Sequence, residues 1–186
     1  MKIAVVYHSG YGHTAEQAKA VARGAEGVAG AEVKLIALGD GEAPWEELAS
    51  ANAIIFGSPT YMGTVSAPFK KFMDDSSKAW YARQWKDKIA AGFTNSASQS
   101  GDKLNTLQTL AIFAAQHGMI WAGLDILPGN NNSKGSVDDL NRLGSSLGAM
   151  AQSNADQGPE HGPIASDLKT AEHLGKRVAT LVARFK

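Results

Sequence analysis

Ser9, His13 and Thr14, spaced by Gly10, Tyr11 and Gly12, make up the stretch of this chain best equipped to hold an anion. Two glycines within three residues let the backbone turn tightly, while the hydroxyls and the imidazole add side-chain donors. The apolar run Ile3 to Tyr7 precedes the stretch and the Ala-rich segment Ala15 to Ala25 follows it, a pattern of strand, loop and helix. Thr14 with Gln17 fits a capping box and sets the expected helix start at Thr14. Free backbone N–H groups and the positive end of a helix dipole would then converge on one point. No lysine or arginine stands in the stretch, so a phosphate there would be held by geometry, each charge-assisted hydrogen bond contributing about 1.5–3 kcal/mol. Two other readings stay open. The stretch also matches Gly-x-Gly-x-x-Ala, the dinucleotide fingerprint, with Asp40 as the residue that would hold a ribose. It would equally suit a plain glycine turn in which Thr14 only caps its helix.

Two further loops carry groups suited to a flat ring with polar edges. Pro59, Thr60, Tyr61, Met62 and Gly63 combine backbone amides with aromatic and thioether faces. Thr94, Asn95, Ser96, Ala97 and Ser98, followed by Gly101, offer hydroxyls and amides. Each could also be an ordinary turn or a polar lead into the next helix. His117 closes a helix, where a histidine commonly serves the helix C-terminus; its place at a helix-to-strand turn puts it at the opposite end of the sheet from the strand exits. Trp80, Tyr81 and Trp85 cluster before a strand, either as core or as a patch that covers a cofactor or meets another subunit. The chain has no Gly-x-Ser-x-Gly elbow, no His-Glu-x-x-His zinc helix and no lysine-bearing phosphate loop. The adjacent pairs Asp74-Asp75 and Asp138-Asp139 read as solvated or capping residues, and no metal site is expected.

The elements that must position these loops follow from periodicity. Helical spacing is expected from Thr14 to about Val28, with Gly30 as its stop, and strands over Glu32 to Leu38, Ala51 to Gly57, Lys88 to Phe93 and Met119 to Gly123. Ser66-Ala67-Pro68 opens a further helix, Leu104 to Ala114 form another, and Leu174 to Phe185 close the chain with an amphipathic one. A strand apolar on both sides, such as Ala53 to Phe56, needs helices on both faces of a parallel sheet. Five strands alternating with helices give an α/β, doubly wound architecture, in which ligands lie beyond the carboxyl ends of the strands. The three loops follow strands one, three and four. The expectation is one domain over residues 1–186, with an irregular, insertion-like segment at about 127–163 that is too long for an idle connection.

Composition narrows the partners. The chain is 44% apolar and carries 18 basic and 18 acidic side chains, so no bulk field draws it to nucleic acid or to an anionic membrane. It has no cysteine, which excludes disulfides and thiolate chemistry and fits a reducing compartment. With no spanning apolar run and Met1-Lys2 leading directly into a strand, a cytoplasmic location is expected.

Ser9 to Thr14, Gly57 to Gly63, Ser66 to Phe72 and Gln116-His117-Gly118-Met119 together resemble the flavodoxin-like WrbA family of NAD(P)H:quinone oxidoreductases, over essentially the whole chain. The resemblance implies a five-stranded parallel sheet of order 2-1-3-4-5, non-covalent FMN, and two-electron reduction of a quinone by NADH or NADPH in a homo-oligomer, a tetramer or dimer. It implies further that Ser9, Gly10, Tyr11, Gly12, His13 and Thr14 surround the FMN phosphate. Pro59, Thr60, Tyr61, Met62 and Gly63 would meet the ring, together with Thr94, Asn95, Ser96, Ala97, Ser98 and Gly101. His117 is expected in the active-site pocket, and Trp80 is expected over the flavin of a neighbouring subunit. The chain departs from the family where Tyr61-Met62 replaces an arginine and an aromatic, and where Asn and Ser replace glycines after strand four. A flavodoxin-type electron carrier and a flavin-free nucleotide-binding module are the rival readings.

Overall fold

A computed structural model describes residues 1–39 and 41–185. Asp40, the residue considered for a ribose, lies outside the described residues. The parallel sheet is built on β1 (Lys2–Tyr7), β2 (Glu32–Ala37), β3 (Ala53–Tyr61), β5 (Ile89–Ser96) and β6 (Ile120–Trp121), in the order β2-β1-β3-β5-β6. This is the expected 2-1-3-4-5 arrangement. Two short strands join it: β4 (Thr64–Val65) pairs antiparallel with β3, and β7 (Ala149–Gln152) pairs parallel with β5, giving seven strands rather than five.

Alternation along the central strands assigns their side chains to two layers. Ile3, Val5, Ile55 and Ala91 face α1 (His13–Glu26) and α6 (Ala165–Arg184). Ala4, Val6, Ile54 and Phe56 face the other layer, which contains α2 (Trp45–Ser50), α3 (Ala67–Asp75), α4 (Ser77–Tyr81) and α5 (Lys103–Gln116). Ile54, Ile55 and Phe56 are wholly buried, each contributing about 1.5–3 kcal/mol. On the first face, α1 and α6 approach so closely that a methyl group at Gly24 would strike the Glu172 carbonyl, and one at Gly175 the Val21 carbonyl.

Several boundaries differ from the sequence expectation. Helix α1 begins at His13, not Thr14, because Gly12 in the left-handed conformation (φ +92°) turns the chain into it. The capping box does not form: Thr14 lies inside the first turn and the Gln17 amide donates to the Ala149 carbonyl. The helix ends at Gly27 rather than at Gly30. Ser58 to Tyr61, expected as loop, extend β3, and Met62 and Gly63, both at positive φ, turn it into β4. Pro59 is tolerated there because β1 pairs with β3 only as far as Gly57, leaving Pro59 a ladder partner, Asn95, on the β5 side alone.

The expected fifth strand is divided. Ile120 and Trp121 pair with Ile89 and Ala90, whereas Ala149 to Gln152 pair with Phe93 to Ser96. The chain between them leaves the sheet and is tied back by polar contacts. Asn141 spans the carbonyls of Ile126 and Ser145, and the Arg142 guanidinium grips the Asp167 carboxylate of α6 through Nε at 2.8 Å and Nη2 at 2.7 Å.

Candidate functional site

Four segments meet at the carboxyl edge of the sheet around a cleft of about 830 Å3. Three are the exits of β1, β3 and β5; the fourth, Ser153 to Gly158, follows β7. The volume lies within the range of about 300–1,000 Å3 typical of small-molecule sites. Ser9, Tyr11, His13, Thr14, Pro59, Thr60, Tyr61, Met62, Gly63, Asn95, Ser96, Ala97, Ser98 and Gly101, all singled out in the sequence, line it. Gly10 and Gly12 lie in the same loop, and Thr94 is wholly buried behind the wall.

One end of the cleft is the start of α1. Its N-cap, Gly12, has no side chain to cap the helix, so the first-turn N–H groups, which lack intrahelical acceptors, remain available. Among the described residues only the Ala15 N–H is taken, by Ser9 Oγ at 3.2 Å, which leaves the Ser9 hydroxyl proton free to donate. Thr14 is buried, and its hydroxyl has no hydrogen bond among the described residues. His13 Nδ1 lies 2.9 Å from the Gly162 carbonyl, an acceptor only, so Nδ1 carries the proton. A methyl group at Gly12 would come within 2.7 Å of Pro159 Cγ, so the loop after β7 backs directly onto the glycine loop.

The walls are held by polar contacts, most of them buried. Thr60 Oγ1 lies 2.8 Å from both Thr94 Oγ1 and Thr106 Oγ1, joining β3, β5 and α5. Asn95 Nδ2 donates to Ser153 Oγ at 2.9 Å, and Gln152 Nε2 to the Ala97 carbonyl at 2.9 Å. Ser66 Oγ contacts His8 Nδ1 at 2.8 Å, and burial lowers the His8 pKa. Tyr61 meets Tyr11 edge to face at 6.2 Å, and burial, reinforced by Tyr11, raises the pKa of its phenol. Met62 beside it is fully exposed at the mouth.

His117 and Trp80 do not line this cleft. They border a second depression between α3, α4 and α5, together with Met73 and Ile112. Helix α5 separates the two places: its 14 residues span about 21 Å, with its first turn at the cleft and its C-cap at His117. Ser76 Oγ donates to the Met73 carbonyl, so the 3.0 Å contact with His117 is donated by His117 Nε2. Nδ1 is then a buried acceptor with no partner among the described residues, and the ring stacks on Trp85 at 4.1 Å. Burial, with Arg83 adding to it, lowers the His117 pKa to about 4.

Asp102, Ser153, Asn154, Ala155, Gln157 and Gly158 line the cleft without having been singled out. Asp102 directly follows the Thr94 to Gly101 loop, and for the other five the signal is the length and the Gly, Asn and Ser content of the segment at 127–163; pairing of β7 to β5 across that segment has no local pattern. Among the described residues no group of three or more His, Asp or Glu side chains could hold a metal ion, and no helix is long and apolar enough to cross a membrane.

Comparison with known proteins adds three findings. Residues 1–127 match the family model described as NADPH-dependent FMN reductase. The chain is 45% identical over 181 residues to "Flavodoxin FldP" of Pseudomonas aeruginosa, covering 97% of this chain and 96% of the relative, and 32% identical to an "NAD(P)H dehydrogenase (quinone)" of Geotalea uraniireducens, covering 100% and 99%. Its fold superposes on the crystal structure of the flavodoxin, WrbA-like protein from Agrobacterium tumefaciens with a TM-score of 0.77 at 43% identity, over 100% of this chain and 99% of that one.

Proposed function

The chain belongs to the NADPH-dependent FMN reductase family, in its WrbA-like branch with a flavodoxin-like fold, and on that premise we propose that it holds FMN non-covalently and reduces a quinone with NADH or NADPH. The observation that carries the reading is the convergence of the glycine loop, the β3 exit and the β5 exit on one cleft that ends at an uncapped helix N-terminus. The residues present fit the group. Free N–H groups and the hydroxyls of Ser9 and Thr14 suit a terminal phosphate, while Pro59, Tyr61 and the Asn95 to Ser98 segment suit a flat ring with polar edges.

When bound, FMN supplies hydride acceptance and two-electron delivery. The chain's own residues bind and orient. Ser9 and Thr14 would donate to the phosphate, and the His13 ring, held through Nδ1–H at the Gly162 carbonyl, lines the same end of the cleft. The hydroxyl chain of Thr60, Thr94 and Thr106 keeps the two ring-binding loops in register. Tyr61 stays protonated at neutral pH, and its hydroxyl lies against the Gly10 backbone, bracing the glycine loop at the edge of the cleft. The exposed Met62 leaves the mouth accessible to a second planar molecule, first the nicotinamide and then the quinone.

For His117 and Trp80 the reading assigns a place across an interface. Both lie outside the cleft of their own chain; the exposed Trp80 would reach the cleft of a second copy, with the buried His117 packed behind that face, and a homo-oligomer is part of the proposal. The test is to mix FMN-loaded protein with NADH or NADPH and benzoquinone. Quinone-dependent oxidation of at least one nucleotide is expected, and its absence with both refutes the enzyme. The relative named as a flavodoxin favours a second reading, an electron carrier. A carrier would need a separate reductase in the same assay, and the zero formal charge supplies no net acidic field to draw one in.

A further inference from the structure

Lys103, the first residue of α5, is completely buried, a rare position for an ammonium group. Its Nζ donates to Ser96 Oγ at 2.6 Å and to the Ser98 carbonyl at 2.6 Å, and both residues line the cleft. Neither acceptor is charged. The Asp167 carboxylate attracts Lys103, but it is already held by both arms of Arg142 and by the Gln152 N–H. Asp102 lines the same cleft, but it is exposed and screened by water. Among the described residues Lys103 is therefore a buried cation without an anion of its own, and the Ser96 to Ser98 wall stands between it and the cleft.

Burial lowers its pKa to about 8, with Asp167 opposing the shift and Arg142 adding to it, so the group is still mainly charged at neutral pH. An unmatched buried charge costs stability that a neutral side chain would not. Such a charge is informative when it sits against a ligand site. Two-electron reduction of a flavin with uptake of one proton leaves the ring one negative charge richer than the oxidised form, and charge near the ring is one of the ways a protein tunes it.

We propose that Lys103 is the electrostatic positioning residue of the cleft: through Ser96 and Ser98 it sets the wall against the flavin, and its unmatched positive charge favours the reduced ring over the oxidised one. The inference rests on the reading of the cleft as an FMN site. It assigns Lys103 to the tuning of the cofactor's potential, a role separate from holding the phosphate.

The experiment measures the two-electron midpoint potential and the Kd for oxidised FMN in FMN-loaded wild type, Lys103→Gln and Lys103→Met. Gln keeps two N–H donors for Ser96 and Ser98 but removes the charge; Met removes both. In both variants the preference for reduced over oxidised FMN is expected to fall at least tenfold, about 30 mV for a two-electron couple. The Kd of Lys103→Gln for oxidised FMN is expected to stay within threefold of wild type. Should Lys103→Met fail to fold, Lys103→Gln carries the comparison alone. A Lys103→Gln potential that differs from wild type by less than a twofold change in that preference overturns this inference and leaves the cofactor reading standing. A wild type that takes up no FMN overturns the cofactor reading and this inference with it.

Discussion

His117 makes acid stability of this chain predictable. In the unfolded chain an imidazole takes up a proton near pH 6.5; in the fold, burial and Arg83 lower that value to about 4. Above pH 6.5 the ring is neutral in both states and contributes no pH dependence. Between about 6.5 and 4 the unfolded chain binds a proton that the native state refuses, so stability falls as the pH falls. The buried Nδ1 without a partner and the stacking on Trp85 are the structural reasons, since no acceptor is at hand to welcome a charged ring. From pH 7 to pH 5 this one group should remove about 2 kcal/mol, an upper value because solvent in the second depression screens part of the effect. His117→Gln keeps an N–H donor for Ser76 and cannot titrate. Urea unfolding of both proteins at pH 7 and pH 5 isolates the group, because every other titrating side chain is common to both. The wild type should lose about 2 kcal/mol more than the variant over that interval. Equal losses in the two proteins would refute the reasoning.

Other substitutions probe the cleft and its supports. Gly12→Ala places a methyl group in the left-handed region, at about 1–2 kcal/mol, and against the Pro159 ring, so urea unfolding should show lower stability and FMN titration at least tenfold weaker binding. Thr14→Val removes one hydroxyl donor and should raise the Kd for FMN about tenfold or more while leaving riboflavin binding unchanged, both read by flavin fluorescence. Arg142→Ala leaves the buried Asp167 carboxylate with the Gln152 N–H alone and should cost about 3–5 kcal/mol in urea unfolding. Replacing both partners, Arg142→Met with Asp167→Leu, should cost much less, because no buried charge is then left unmatched.

What could be read from the sequence follows the range of the interactions involved. The apolar runs at Ile3 to Val6 and Ala53 to Phe56 are buried on both faces, and such runs announce parallel strands without outside help. The glycine loop was equally legible, although its detail was not. Thr14 reads as a cap by spacing, yet Gly12 already turns the chain, so the hydroxyl is released to the cleft. Ser58 to Tyr61 look like loop because of Pro59 and the polar residues; they are strand because β5 continues beside them. The divided fifth strand is the clearest limit: Ala149 to Gln152 pair with β5 only because the chain returns after more than twenty residues, and no local period records that. The Ser153 to Gly158 wall depends on the same return. His117 was suggested for the cleft by family resemblance alone, whereas its spacing pointed to the far end of α5, where the chain places it. Lys103 gave no sign, since a lysine at the start of a helix ordinarily faces water.

On the proposed reading, the cleft at the carboxyl edge holds FMN by its phosphate at the uncapped start of α1. Titration of the flavin-free chain with FMN and with riboflavin, followed by quenching of flavin fluorescence, tests it most directly. One FMN per chain is expected, with at least tenfold weaker binding of riboflavin, which lacks the phosphate. Failure to bind FMN, or equal affinity for the two, would contradict it.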